Sequence, residues 1–221
     1  MTLGAPKTLP IVVYENNSCF LVSVDPINPD NQSILHDFFK LRNETFIEKL
    51  DWSALASAGG AEVDEYDTDT AEYLLLLSKT DRGILAGMRV SQTNDEHYAS
   101  ALSEHPTSYM IRDAYLGRLE TIPTDICFSA PPTSVKSVEL TRLISTKAEH
   151  LRTLITEGSR YLADIGVAEC LILASPTFLR LGKMLGFEPK AIGPIQGVGK
   201  QRYVAMSYSP KTEEKDLNDE Y

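Results

Sequence analysis

The heptad AEVDEYD (61–67) places Glu62, Asp64 and Asp67 beside Tyr66 and directly after a Gly59-Gly60 break. Carboxylates so arranged form either a solvated turn or a cation site, and in a chain with 31 Asp and Glu the heptad alone leaves both open. Three other groups carry residue types able to do chemistry. Arg42 and Phe46 are four apart, on one face of a helix that leads to Trp52, and a packing face is the plain alternative. Arg89 lies inside the apolar run ILAGMRVS, where a buried arginine requires a carboxylate or several acceptors. Glu139 and Arg142 lie three apart in VELTR. They take opposite faces of a regular strand, share one side only across a bulge, or form a surface pair worth under about 1 kcal/mol. Two arginines and three acids where buried segments meet a glycine-containing loop suit a small molecule bearing both signs of charge.

The elements that must hold these residues follow from periodicity. Ile11 to Tyr14 and Cys19 to Val24 read as strands around the turn ENNS, and Ser33 to Leu50 as a helix. After Trp52, small residues make a loop and candidate lid. YLLLLS and ILAGMRVS flank the turn KTDRG as a hairpin buried on both faces. Between Asp95 and Thr124 only short helical pieces, YASALSE and YMIRDAYLGRL, are expected, with no chemistry assigned to them. Ser134 to Thr146 alternates as a strand. A long helix with apolar residues from Leu151 to Ile165 ends at Gly166, followed by the strand ECLILAS. PTFLRLGKML is a helix with Pro176 at its first position, and strands at Phe187 to Ile192 and Arg202 to Tyr208 follow. Alternating strands and helices imply an α/β fold with a mixed sheet flanked by helices.

One domain is expected over residues 1–210, with 1–60 supplying N-terminal strands, a helix and the lid. The acidic tail 211–221 is expected to be disordered, with five acids, two lysines and one aliphatic residue. A net charge of −10 argues against a nucleic-acid partner, because phosphate neutralisation needs a basic face. Cys19, Cys127 and Cys170 lack the spacing of a disulfide framework or zinc site, and no metal is expected. No apolar run approaches the roughly 20 residues of a membrane span, so a cytoplasmic protein with no membrane partner is expected.

The ordered set RNETFIEKLDW, EVDEYD, GMR and VELTR resembles the acyl-homoserine-lactone synthases, the LuxI-type autoinducer synthases of bacterial quorum sensing. The resemblance covers the first two thirds of the chain. It implies a three-layer α/β/α sandwich similar to the GNAT N-acyltransferases. It further implies two substrates, S-adenosylmethionine and an acyl thioester on acyl carrier protein or coenzyme A, and no cofactor. The amine of S-adenosylmethionine attacks the thioester, and the methionine carboxylate then closes the lactone and expels methylthioadenosine. Under the resemblance Glu139 takes the proton, directly or through a water. Asp64 and Asp67 attract the sulfonium and ammonium, while Arg42, Arg89 and Arg142 hold the substrate carboxylate or fix those acids. Phe46 and Trp52 offer ring faces to the adenine and sulfonium.

Two features depart from the family. The segment before the Arg42 helix is longer than usual, and Ile172 stands where members that prefer 3-oxo chains carry threonine, which implies an unsubstituted or bulky apolar acyl group. An acidic carrier protein would dock on basic residues, for which Lys147, Arg152, Arg160, Arg180 and Lys183 are the candidates; a solvated helix face is the alternative. Two other readings are a GNAT acyltransferase acting on another amine and a non-catalytic sensor of the same fold. The stretch LISTKAEHL lacks the glycines that hold a coenzyme A pyrophosphate, which favours the carrier protein.

Overall fold

The computed structural model describes residues 10–51, 59–94 and 108–211. Trp52, most of the lid candidate, the piece YASALSE and all but the first residue of the acidic tail lie outside them. The chain divides into two compact units.

The first unit holds the strands β1 (Ile11–Glu15), β2 (Cys19–Val24), β3 (Glu72–Ser78) and β4 (Ile84–Gln92), paired antiparallel in that order. The ENNS turn forms because the Asn16 side chain accepts from the backbone N–H groups of Ser18 and Cys19 at 2.8 and 2.9 Å. β3 and β4 are buried on both faces, as their unbroken apolar runs predict. The helix α1 (Gln32–Arg42) packs Leu35 and Phe38 onto Val22, Val24, Tyr73 and Leu75. Burying each such side chain contributes about 1.5–3 kcal/mol. Close approach is possible because β4 carries Gly87, where a Cβ would lie 2.5 Å from the Phe38 ring and 2.7 Å from Leu75.

The expected helix from Ser33 to Leu50 is corrected in its second half. It is α-helical only to Arg42 and continues as a π-helix, Asn43–Lys49, closed by Leu50 N–H donating to the Thr45 carbonyl at 3.2 Å. Apolar spacing cannot distinguish a 3.6-residue turn from one slightly wider, and such insertions gather at functional positions.

The second unit carries β6 (Glu169–Ala174), β8 (Val204–Tyr208) and β7 (Lys190–Ala191) beside the first residues of β5 (Ser137–Ser145). β5 and β6 are parallel while β6–β8 and β8–β7 are antiparallel, so the sheet is mixed. Its helices are α2 (Met110–Tyr115), the C-terminal part of α3 (Ala148–Asp164) and α4 (Thr177–Met184). The remaining residues of β5 and the first turns of α3 belong to the first unit. Gly166 (φ +92°) and Gly186 (φ +83°) follow α3 and α4 in the left-handed conformation that closes helices.

Several boundaries differ from expectation, the strand expected from Ser134 to Thr146 spanning Ser137–Ser145 and the helical piece YMIRDAYLGRL only Met110–Tyr115. The strand expected from Phe187 shrinks to Lys190–Ala191, because Phe187 N–H completes the cap of α4 on the Gly182 carbonyl and Pro189 has no N–H to give. Pro176 caps α4 from outside instead of opening it. Strand β8 begins at Val204, Tyr203 making only an isolated bridge to Gln196. No described helix is long and apolar enough to cross a membrane.

Candidate active site

In the first unit, the last residue of α1 supplies Arg42, β4 supplies Arg89 and β5 supplies Arg142; all three converge on the heptad loop. The loop is shaped by its own acids. Asp64 accepts from Tyr66 N–H at 2.9 Å, Asp67 accepts from Asp64 N–H at 2.8 Å, and Glu62 N–H anchors to the Phe39 carbonyl at 3.0 Å. Arg42 donates to Glu62 at 2.5 Å and forks onto both oxygens of Asp67 at 2.7 and 2.9 Å. Arg89 forks onto Asp64 at 2.5 and 3.1 Å, lies 2.8 Å from Asp67 and donates its Nε to Thr141 at 3.0 Å. Arg142 reaches Glu62 at 2.9 Å and Asp64 at 2.6 Å.

Three arginines and three carboxylates therefore sum to zero charge. Such a set tolerates burial because every charge meets its opposite with bidentate geometry, and removing one member strands its partner at a cost of about 3–5 kcal/mol. Burial alone would push the Asp67 carboxyl up, but the charges of Arg89 and Arg42, with hydrogen bonds from Arg42 and the Asp64 N–H, hold it well below the usual carboxylate range. Arg42 and Arg89 are held above their ordinary values: desolvation opposes this and the facing aspartates outweigh it. The Tyr73 hydroxyl, donating to Asp67 at 2.9 Å, is pushed up by burial and by that carboxylate.

Exposure within the cluster is graded. The side chains of Arg42, Glu62 and Arg89 are fully buried and Asp67 is 2% exposed, whereas Asp64 and Arg142 each retain 10%. Phe46 is buried with the Arg142 guanidinium 5.7 Å from its ring centre, and Arg89 lies 5.7 Å from that of Tyr66. Arg142 has φ +53°, a left-handed conformation rare outside glycine. Consecutive side chains of a regular strand point to opposite faces, yet Thr141 and Arg142 both enter this cluster. The left-handed residue at Arg142 therefore breaks the regular alternation of this strand.

In the second unit Glu139 is 1% exposed, on the part of β5 that pairs with β6 opposite Leu171. Its two oxygens accept from Met110 N–H at 2.9 Å and Ile111 N–H at 2.8 Å, the first amides of α2. Tyr109 and Cys127, both buried, feel its charge: burial first and Glu139 next push the Tyr109 phenol up and the Cys127 thiol to about 11. Ile172 lines a small apolar pocket with Ile155, Phe178, Leu181, Phe187 and Met206.

Of the basic candidates, Lys147 and Arg152 are exposed in the first unit, Lys147 lying 3.6 Å from Glu149. In the second, Arg160 pairs with Glu157 at 2.8 Å, and Arg180 and Lys183 are exposed on α4. Trp52 lies outside the described residues. Sequence reading gave no individual role to Glu62, Tyr73, Thr141 or the α2 amides. Glu62 was recoverable, since three buried arginines demand a third acid. The amides were not, because a backbone N–H carries no residue type.

The profile of the autoinducer synthase family matches residues 27–216. An acyl-homoserine-lactone synthase from Pseudomonas chlororaphis is 27% identical over 177 residues, 79% of each chain. Among solved structures, a CoA-dependent acyl-homoserine lactone synthase, BjaI, with SAM and isopentyl-CoA, superposes with TM-score 0.65 at 20% identity, covering 86% of this chain and 82% of that one. A putative N-acetyltransferase from Lactobacillus plantarum superposes with TM-score 0.54 at 16% identity, covering 88% and 100%. At these identities the two superpositions establish the fold, which is that of the synthases and is similar to N-acyltransferases.

Proposed function

The chain belongs to the autoinducer synthase family, an acyltransferase family, and on that premise we propose that it makes an N-acyl-homoserine lactone from S-adenosylmethionine and an acyl thioester. The observation that carries this reading is the charge-balanced cluster of Arg42, Glu62, Asp64, Asp67, Arg89 and Arg142, most exposed, among the described residues, at Asp64 and Arg142. A substrate with one cationic and one anionic end meets both partners it needs at that rim. Asp64 faces the ammonium or sulfonium, Arg142 faces the carboxylate, and Arg42, Glu62, Asp67 and Arg89 fix them in place. Phe46 and Trp52 supply aromatic surface to the adenine and sulfonium.

Acyl transfer requires the free amine, so a proton must leave the ammonium, and Glu139 takes it directly or through a water. The amine then attacks the thioester carbonyl and the thiol departs. Lactonisation breaks the carbon–sulfur bond already activated by the sulfonium, so holding the carboxylate near the γ-carbon supplies most of what that step needs. Neither step calls for a cofactor or metal, and both substrates belong to the cytoplasm.

The acyl group lies against Ile172, whose apolar side chain, in place of a threonine, suits an unsubstituted or bulky apolar chain. The donor is an acyl thioester on acyl carrier protein or coenzyme A. The glycine-free stretch leading into α3, where Thr146 bonds the Leu85 carbonyl and His150, favours the carrier protein. BjaI is CoA-dependent, so the assay must carry both donors. Incubation with S-adenosylmethionine and a panel of acyl carrier proteins and acyl-CoAs should yield lactone and methylthioadenosine by mass spectrometry. Lactone from no donor, with S-adenosylmethionine still bound, would mark a sensor; acyl transfer to another amine would mark a different acyltransferase.

A further inference from the structure

Helix α2 has six residues, too few to hold its shape without outside contacts, yet its first two amides are the groups seen holding Glu139. One side chain closes both ends of this helix. Asp113, 2% exposed, sits in its second half and reaches back, accepting from Ser108 N–H at 3.0 Å on Oδ2. Its Oδ1 accepts from the Arg118 guanidinium at 2.9 Å, and its carbonyl accepts from Arg118 N–H at 2.9 Å just past Gly117, whose φ of +73° reverses the chain. One carboxylate thus fixes the entry to α2 through Ser108 and its exit through Arg118.

We infer that Asp113 is a positioning residue for Glu139: through α2 it aims the Met110 and Ile111 amides at the carboxylate of the base. The inference rests on the proposed role of Glu139. Ser108 directly precedes the cap residue Tyr109, so releasing Ser108 N–H frees the backbone torsions that orient the next two amides. Helix α2 would move without unfolding, since Ile111 and Ala114 are fully buried in an apolar cluster with Ile126, Leu171 and Ala205, and the Tyr109 hydroxyl donates to the Pro132 carbonyl at 2.6 Å. Amides that donate to a carboxylate favour its charged form, so misaimed amides leave Glu139 harder to ionise. Tyr109 and Cys127, the titratable groups coupled to Glu139 from beside α2 and from the apolar cluster, keep their protons through burial. Neither changes charge near neutral pH.

The test compares Asp113→Ala with Asp113→Asn, which keeps an oxygen for Ser108 N–H. Three readouts are taken: kcat and KM for S-adenosylmethionine, the pH profile of kcat/KM, and the Glu139 carboxyl titration by 13C NMR, assigned with Glu139→Gln. The alanine variant should lose about tenfold or more in kcat with KM within about twofold; because both variants lose the Asp113 charge, the amides are read from the alanine variant's acid limb and Glu139 titration lying about half to one pH unit above those of the asparagine variant. The asparagine variant should recover most of the rate. Equal losses in both variants with matching acid limbs would overturn the inference, as would matching Glu139 titrations in the two whatever the rates. If Glu139→Gln keeps a near-normal rate the base assignment fails by itself; titrations that differ between the two variants then still uphold the clamp and matching ones overturn it. Should the alanine variant fail to fold, Arg118→Gln, at a side chain 25% exposed, must shift the same readouts in the same direction by less.

Discussion

The two units bury charge by opposite means. In the first, six side chains neutralise one another, and the stability of each rests on the other five. In the second, the carboxylate of Glu139 is buried against two backbone amides of a short helix, with a protonated phenol and thiol near it. A neutral cluster suits a rigid seat for a doubly charged molecule, because each of its charges is held in place by opposite charges. A carboxylate held by amides depends on the direction of a short helix, which suits a group whose proton affinity must be set.

That contrast can be broken most sharply at Glu139. Glu139→Gln should retain S-adenosylmethionine binding by calorimetry and lose acyl transfer by about 10²–10⁴-fold, and a near-normal rate would end its assignment as the base. Within the cluster the expected effects divide by exposure. Glu62→Gln leaves Arg42 and Arg142 short of a charge inside the protein and should lower unfolding free energy by about 3–5 kcal/mol in denaturant titration. Arg142→Gln, at the rim, should cost less than half as much stability and act instead on KM for S-adenosylmethionine. Equal destabilisation by the two would show that the rim is no more open than the centre.

Acid titration separates the units more gently. The Asp67 carboxyl is depressed in the folded protein, so the unfolded chain takes up its proton first as pH falls below about 4. The stability that Asp67 contributes is complete above that pH and drains away with further acidification, which thermal melts between about pH 2 and pH 6 would record. A melting temperature independent of pH in that range would contradict the pairing. The mildest change expected is Ile172→Thr in the second unit, which should add a hydroxyl to the apolar pocket and raise the share of 3-oxo product severalfold, with little effect on S-adenosylmethionine turnover. An unchanged product distribution would remove Ile172 from the acyl site.

Residue types and their order determined a good deal by themselves. Two short apolar runs flanking the turn KTDRG fit buried hairpin strands, so β3 and β4 were legible, as was α3 from its apolar stripe and closing glycine. Arg89 within such a run already demanded acids, and the heptad was the nearby supply. The family resemblance was carried by side chains alone, from Arg42 to Arg142. What tertiary structure decided is where backbone and long-range partners enter. The wider π-helical turns after Arg42, the left-handed residue at Arg142, Glu62 as the third acid and the α2 amides on Glu139 leave no periodic signal, because each is set by what meets it in space. Side-chain charge can be counted along a sequence; the direction of an N–H exists only once the chain has folded around it.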